Sequence, residues 1–523
     1  MVDPTLNVGV NFLEGHLSEK TNIAVGSKVI TQKLNAEESK LIMNNFKQKA
    51  LISALAGAGA LAMAGAANAV YVNADGLGQA LVYPYYTVRA GNTTLISVVN
   101  TTTNAKAVKV RFLEGKNSQE VLDFNLFLSP KDVWTGAIVP TTAGATIVTA
   151  DKSCTNPRIP AAGGDFRNFL FLNDAASLQS LDRTREGYVE MIEMATIPLG
   201  SALATDVTHV NGTPPCKLIS DASFTSAAVF ATLTPPSGGI FGNGTILNAL
   251  GGASTGYDAV AFDGLGYTRP NPTVAGNTLP NLGSGASKVS VVTNNGNLFL
   301  TSWSSAIDAV SATIMHDNVY GEYAFTADGI IGTDWVITMP TKSQYVNGSI
   351  PRAPFQRVWD TANGVSCDDV SLTSTDREEF VGTINDDFSP RPPSAKGNGL
   401  CYEANVISFG GVTGAGASLV TGSVNDVGIS PVQNQGLAVP TAGKEGGWLT
   451  LAFTNPNAFL VGTGTSVNTT GGVLPAAAPA PVNQTYFGLP VVGFAISGAA
   501  FKTGNPQQNY TNSYSLKYSR NIQ

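Results

Sequence analysis

Apolar and polar residues alternate with a period of two over most of the chain beyond residue 70. Thr94 to Asn100 is rich in β-branched and apolar residues and reads as a buried strand; Thr101 to Ala105 is a polar turn. Val108, Val110 and Phe112 then alternate with Lys109 and Arg111, which predicts a hairpin with one wet face. Leu122, Phe124, Leu126 and Leu128 alternate with Asp123 and Asn125, and Ser129-Pro-Lys-Asp132 turns the chain into Val133-Trp134. Strands at this spacing, joined by short turns, predict part of an immunoglobulin-like sandwich, without the Cys…Trp…Cys pattern of antibody domains. Further strands are expected at 223–233, 288–293, 298–303, 334–339, 403–409, 448–453 and 491–496, with long polar connections such as 264–287. Helix signals are confined to 174–181 and 304–312. The expected fold is mainly β, an antiparallel β-sandwich with long loops and few short helices, in two or so domains. An N-terminal β-sandwich domain is placed at 70–220. A larger β-rich region, with Pro-rich loops at 389–394 and 474–481, is placed at 221–523.

One stretch departs from this pattern. From Met43 a short polar segment carrying Lys47 and Lys49 leads into an apolar run of Ala, Leu, Ile and Gly that closes on Ala67-Asn68-Ala69. That is the build of a secretory signal peptide over 43–69, with Ala67 and Ala69 as the small residues of the cleavage site and Val70 as the first mature residue. Residues 1–42 carry no sustained period and read as a start codon assigned too early or as a disordered extension. A membrane anchor is the alternative, but Ala50 to Ala66 is short and weakly apolar for a spanning helix. An exported protein at the surface of a Gram-negative bacterium, associated with the outer membrane or extracellular, is the expected location.

Charge is sparse, at 13% of residues, and the net charge is −7, which gives no electrostatic footprint for nucleic acid. All four cysteines, Cys154, Cys216, Cys367 and Cys401, follow the expected cleavage site. An even count in an exported chain predicts two disulfides. Three pairings are possible, and the sequence-local choice is Cys154–Cys216 with Cys367–Cys401. No transmembrane span is expected in the mature chain.

Candidate chemistry is thin. His209 and His316 lie after the leader without a His or Cys partner at metal spacing, although a Ser-His-Asp triad assembles from distant positions and leaves no local motif. The segment from Arg183 to Glu193 is the densest charged cluster, and its Glu190 and Glu193 are the candidate carboxylate pair for glycoside hydrolysis. A strand through Tyr188-Val-Glu-Met-Ile would set the two on opposite faces. Asp368-Asp369 and Asp386-Asp387 are candidate calcium contacts outside any EF-hand spacing. Tyr83-Pro-Tyr85-Tyr86 is a candidate sugar-stacking cluster or, alternatively, core. No catalytic residue, cofactor or metal site is assigned, and calcium is left without a site.

Several pieces in order along the chain resemble a group of exported bacterial proteins described only as cell-surface or uncharacterised. They are Asp75-Gly-Leu-Gly-Gln79, Tyr83-Pro-Tyr-Tyr86, Phe112-Leu-Glu-Gly115, Leu128-Ser-Pro-Lys-Asp-Val-Trp134 and Arg185-Glu-Gly-Tyr188. Thr333-Asp-Trp-Val336, Pro340-Thr-Lys342 and Leu400-Cys-Tyr-Glu403 follow. The resemblance implies export and a surface location, and transfers no functional residue. The expected function is a structural or adhesive cell-surface protein without catalysis, which packs with copies of itself or contacts extracellular glycan or protein. A secreted hydrolase or carbohydrate-active enzyme is the alternative, and an outer-membrane β-barrel the second alternative.

Overall fold

Alternation is realised as two facing antiparallel sheets. In this computed structural model the described residues are 69–249, 251–326, 330–377, 379, 381–384, 399–409, 421–423, 446–468, 479–501 and 508–523. The leader up to Asn68, the Pro-rich stretch at 389–394 and most of that at 474–481 lie outside them. Sheet I has seven strands in the order Tyr71–Val72, Val260–Asp263, Ala80–Thr87, Glu186–Ile197, Ala105–Glu114, Glu120–Leu128 and Cys154–Asn156. Sheet II has six, in the order Ala253–Asp258, Ile240–Asn248, Thr93–Asn100, Val133–Pro140, Ala145–Val148 and Gly164–Asp165. Val108, Val110, Phe112, Phe124 and Met191 of sheet I meet Ile96, Val98, Trp134, Ile138 and Ile147 of sheet II in one buried cluster. This is the sandwich that period-two patterning calls for. Close approach of the layers needs glycine at 242, where a Cβ would stand 1.9 Å from the Tyr83 hydroxyl.

The expected boundary at 220/221 does not separate the sheets. Ile240–Asn248, Ala253–Asp258 and Val260–Asp263 complete sheets I and II with strands from before residue 200. The strand expected at 223–233 is two short helices, Asp221–Phe224 and Ala227–Phe230, because Ser220 and Ser226 cap them by accepting the N–H groups of Ser223 and Val229. Phe224 then packs edge-on against Phe127. The helix expected at 174–181 is replaced by short 3-10 turns, Phe169–Asn173 and Ala176–Leu178. The one expected at 304–312 forms as Ala306–Thr313, with Ser305 as its N-cap.

Beyond residue 288 the sheets continue. One four-stranded sheet runs Val289–Asn294, Asn297–Ser302, Phe459–Asn468, Val482–Phe487; another runs Ala404–Phe409, Ile331–Thr338, Val492–Phe501, Gln508–Ser515. Asp368–Asp376, Gly446–Phe453 and Asn318–Ala324 form the centre of a further sheet. Both expected disulfides are present, Cys154–Cys216 and Cys367–Cys401. Among the described residues no sheet closes into a barrel and no helix is long and apolar enough to cross a membrane.

The hydrophobic clusters ignore the division of the chain into halves. Val336, Val406, Phe494 and Ile496 join the sandwich core, while Val82, Leu113, Tyr188 and Ile192 of sheet I join the core of the later sheets. Tyr257 of sheet II stacks on Phe494 with centroids 4.5 Å apart. Replacing Phe494 by Ala removes that stack and is expected to cost about 3–5 kcal/mol. Urea unfolding followed by tryptophan fluorescence and by circular dichroism should shift together to lower denaturant. Two separate transitions, of which only one moves, would contradict the shared core.

Candidate functional site

Glu186–Ile197 is buried at every position because both faces of sheet I are covered. Its register sets Glu190 opposite Arg111. Arg111 donates from Nη1 to Glu190 Oε2 at 2.6 Å and from Nε to Glu120 Oε2 at 2.6 Å. Lys106 Nζ lies 2.7 Å from Glu193 Oε1, whose carboxylate also accepts the N–H groups of Ser237 and Gly238. The hairpin face expected to be wet is therefore dry. The long connection after Gly264 lies over it, with Lys109 Nζ donating to Val274 O at 3.0 Å and Asn125 Nδ2 to Thr273 O at 2.8 Å. Burial pushes the Glu190 carboxyl up, against the pull of Arg111. A glycosidase pair needs two carboxyls facing one open space. Here each expected acid is tied to its own buried cation.

The histidines separate clearly. His209 does meet a serine and an aspartate: its Nδ1 is 2.9 Å from Ser129 Oγ and 3.7 Å from Asp132 Oδ2. But both partners approach the same ring nitrogen, and the Ser129 hydroxyl donates directly to Asp132 Oδ2 at 3.0 Å. In a hydrolytic triad the serine and the aspartate occupy opposite nitrogens. The Ser129–Asp132 contacts are those of a turn that closes on itself. His316 is 7% exposed, stacks on Tyr518 at 4.3 Å, and its Nδ1 has no hydrogen-bond partner. Burial, and after it the Arg520 guanidinium, hold this imidazole well below its ordinary pKa.

Tyr83, Tyr85 and Tyr86 are 0% exposed, so they are core and offer no stacking face. Tyr83 donates to Ser97 O, and Tyr85 to Glu186 Oε2. Asp368 is buried beside Lys342 at 3.0 Å, while Asp369 faces Arg357 at the surface. Asp386 and Asp387 lie outside the described residues. Among the described residues no group of three or more His, Cys, Asp or Glu gathers to hold a metal. Ala67 is also outside them; Ala69 and Val70 are buried, and Val70 N–H donates to Val289 O at 2.7 Å.

Two surface features stand out instead. The first is the outward face of sheet II. None of its four inner strands, Ile240–Asn248, Thr93–Asn100, Val133–Pro140 and Ala145–Val148, contains a charged residue. Leu95 and Val133 are 38% and 47% exposed there, among Ser97, Thr135, Ala137, Asn243 and Thr245. The edge strands each carry an aspartate, Asp258 and Asp165. The second is a cleft of about 570 Å³ between the strand Ala253–Asp258 and the last strands of the chain, lined by Tyr257, His316, Phe494, Tyr514, Tyr518 and Arg520 among others.

Sequence reasoning also missed a buried polar junction. Lys342 is 1% exposed and Glu403 likewise, and Glu403 Oε2 has no hydrogen-bond partner. Burial lifts the Glu403 carboxyl to about 8, against the attraction of Lys342. Neighbouring backbone joins the two parts of the chain, with Ala404 N–H donating to Gly115 O at 2.8 Å. Only its place in Leu400-Cys-Tyr-Glu403 marked this glutamate in the sequence. No family model, curated protein or solved structure matches this chain.

Two outcomes follow from the buried charges. Lys106→Met strands the Glu193 carboxylate and is expected to cost roughly 3–5 kcal/mol by chemical denaturation, whereas Lys106→Met/Glu193→Gln, which removes both charges and keeps an oxygen acceptor for the Ser237 and Gly238 N–H groups, should lie much closer to the parent. For Glu403 the folded pKa, about 8, stands above the unfolded value of 4.5. The folded protein thus keeps a proton that the unfolded chain gives up across that interval. Stability falls as pH rises through the window and levels off above it. Glu403→Gln should flatten this decline in melting temperature between pH 5 and 9; an unchanged slope would refute the assignment.

Proposed function

We propose that this protein is an exported structural or adhesive protein of the bacterial cell surface, which associates with copies of itself through the outward face of sheet II. The observation that carries the reading is the complete lack of charged residues in the four inner strands of that sheet. A chain of net charge −7 repels its copies over most of its surface. This face does not contribute to that repulsion, and its Leu, Val, Thr and Ser side chains suit packing against an equivalent sheet at about 10 Å. Edge-to-edge strand addition is less suited, since Asp258 and Asp165 place carboxylates on the two edge strands. The two disulfides are compatible with folding in an oxidising compartment.

The hydrolase alternative loses its named acids, because Glu190 and Glu193 are buried and each is held by its own cation, Arg111 and Lys106. Self-association is tested by sedimentation of the purified chain against Leu95→Asp/Val133→Asp. The parent is expected to associate and the variant to sediment as a monomer with an unchanged melting temperature. Protease shaving of intact cells should release peptides of this chain. A parent that stays monomeric at high concentration would remove the proposed contact, and a chain found only in cytosolic fractions would remove the location.

A further inference from the structure

The cleft at the end of the sandwich contains a positive charge that, among the described residues, has no negative partner. Arg520 lines it, and among the described residues no carboxylate lies within ion-pairing distance of its guanidinium. Its hydrogen bonds go to backbone carbonyls at the end of the helix Ala306–Thr313: Nη1 donates to Ala312 O at 3.4 Å and Met315 O at 2.9 Å, and Nη2 to Thr313 O at 2.6 Å. A guanidinium has five N–H donors, so the Nε–H and one Nη2–H remain. These belong to the edge that takes a carboxylate side-on. Arg183 in this same chain shows the arrangement, with Nε and Nη2 each 2.7 Å from an oxygen of Glu114. Beside Arg520 the buried His316 has an unpartnered Nδ1 under the Tyr518 ring.

We propose that this cleft binds a small organic carboxylate of the size of a uronic acid, with Arg520 as its counter-charge and the buried His316 ring beside it as the group that senses the bound anion. The cleft, at about 570 Å³, lies within the roughly 300–1,000 Å³ of small-molecule sites. Its walls suit a sugar acid: Thr245, Asn243, Ser513 and Tyr514 supply hydroxyl and amide groups over the buried Tyr257–Phe494 stack. Asp258 is the lining carboxylate; it is exposed and is engaged by Asn243 Nδ2. It marks the wall away from which an anionic group orients. Helix capping explains the donors Arg520 uses; it leaves unexplained why a half-buried cation should border an open cleft with part of its fork unused. The proposal does not depend on self-association through sheet II.

The chain has three histidines, His16, His209 and His316, so histidine-labelled protein gives a short, assignable set of ring signals. Sodium glucuronate is titrated into the full chain, with glucose as the uncharged match and sodium acetate as the bare carboxylate. The expected result is a saturable shift of the His316 ring signal with glucuronate, a weaker one with acetate, none with glucose, and a stationary His209. Arg520→Gln should raise the glucuronate dissociation constant at least tenfold. Arg520→Lys, which keeps a cation at the helix end, should raise it several-fold. A His316 signal that ignores both carboxylates, or follows glucose as strongly as glucuronate, overturns the proposal even if neither variant folds.

Discussion

The fold rests on charge pairing inside sheet I. Ala105–Glu114 and Glu186–Ile197 are buried on both faces, yet between them they carry Lys106, Lys109, Arg111, Glu114, Glu186, Glu190 and Glu193. Charges at such positions are tolerated only when each meets an opposite charge and its remaining donors and acceptors are satisfied. Glu193 shows how fully this is done, taking an ammonium, a hydroxyl and two backbone N–H groups. The loop that covers this face depends on the same groups, since Lys109 and Asn125 hold its carbonyls. A second cluster of this kind ties the sheet to the later part of the chain. Arg183 binds Glu114 and Asp174, and Asp174 in turn accepts the indole N–H of Trp359.

Strand existence was legible because period two is a local signal. The run Thr94 to Asn100 forms the strand its β-branched composition implies, but where a buried strand was expected it alternates, with Leu95, Ser97 and Val99 facing outward. What was not legible is which polar face meets water. Lys109 and Arg111 alternate with Val108, Val110 and Phe112 like any solvated strand, and nothing within ten residues shows that segments near 190 and 274 will cover them. The same blindness hid the sheet partners of 240–263, which lie more than a hundred residues upstream. At 223–233 the failure was chemical. Serine caps at 220 and 226 outweighed a strand-like composition, and tight helical turns formed instead.

Charge distribution links the interior to the surface. With 13% charged residues the chain has few to place, and a large share is enclosed in the interior of sheet I and its neighbours. Sheet II has none in its inner strands. Its outward face is bordered by aspartates at both edge strands, an arrangement that discourages growth of the sheet sideways while leaving the face available. The proposed stacking through that face is compatible with this division of charge. The Tyr83, Tyr85 and Tyr86 side chains, by contrast, fill the space between layers and anchor their hydroxyls on Ser97, Glu186 and Thr184.

The cleft could not have been found from any one segment. The buried stack beneath it pairs Tyr257 with Phe494, and its polar corner pairs His316 with Tyr518 and Arg520. Each partner belongs to a different sheet or turn, brought together because the last strands pack against an edge of the sandwich. There Thr511 and Ser513 hydroxyls reach the carbonyls of Ser254 and Gly256 instead of a backbone ladder forming. Gly244 lets the Tyr257 ring pack close against its strand, since a Cβ there would strike the ring at 2.1 Å.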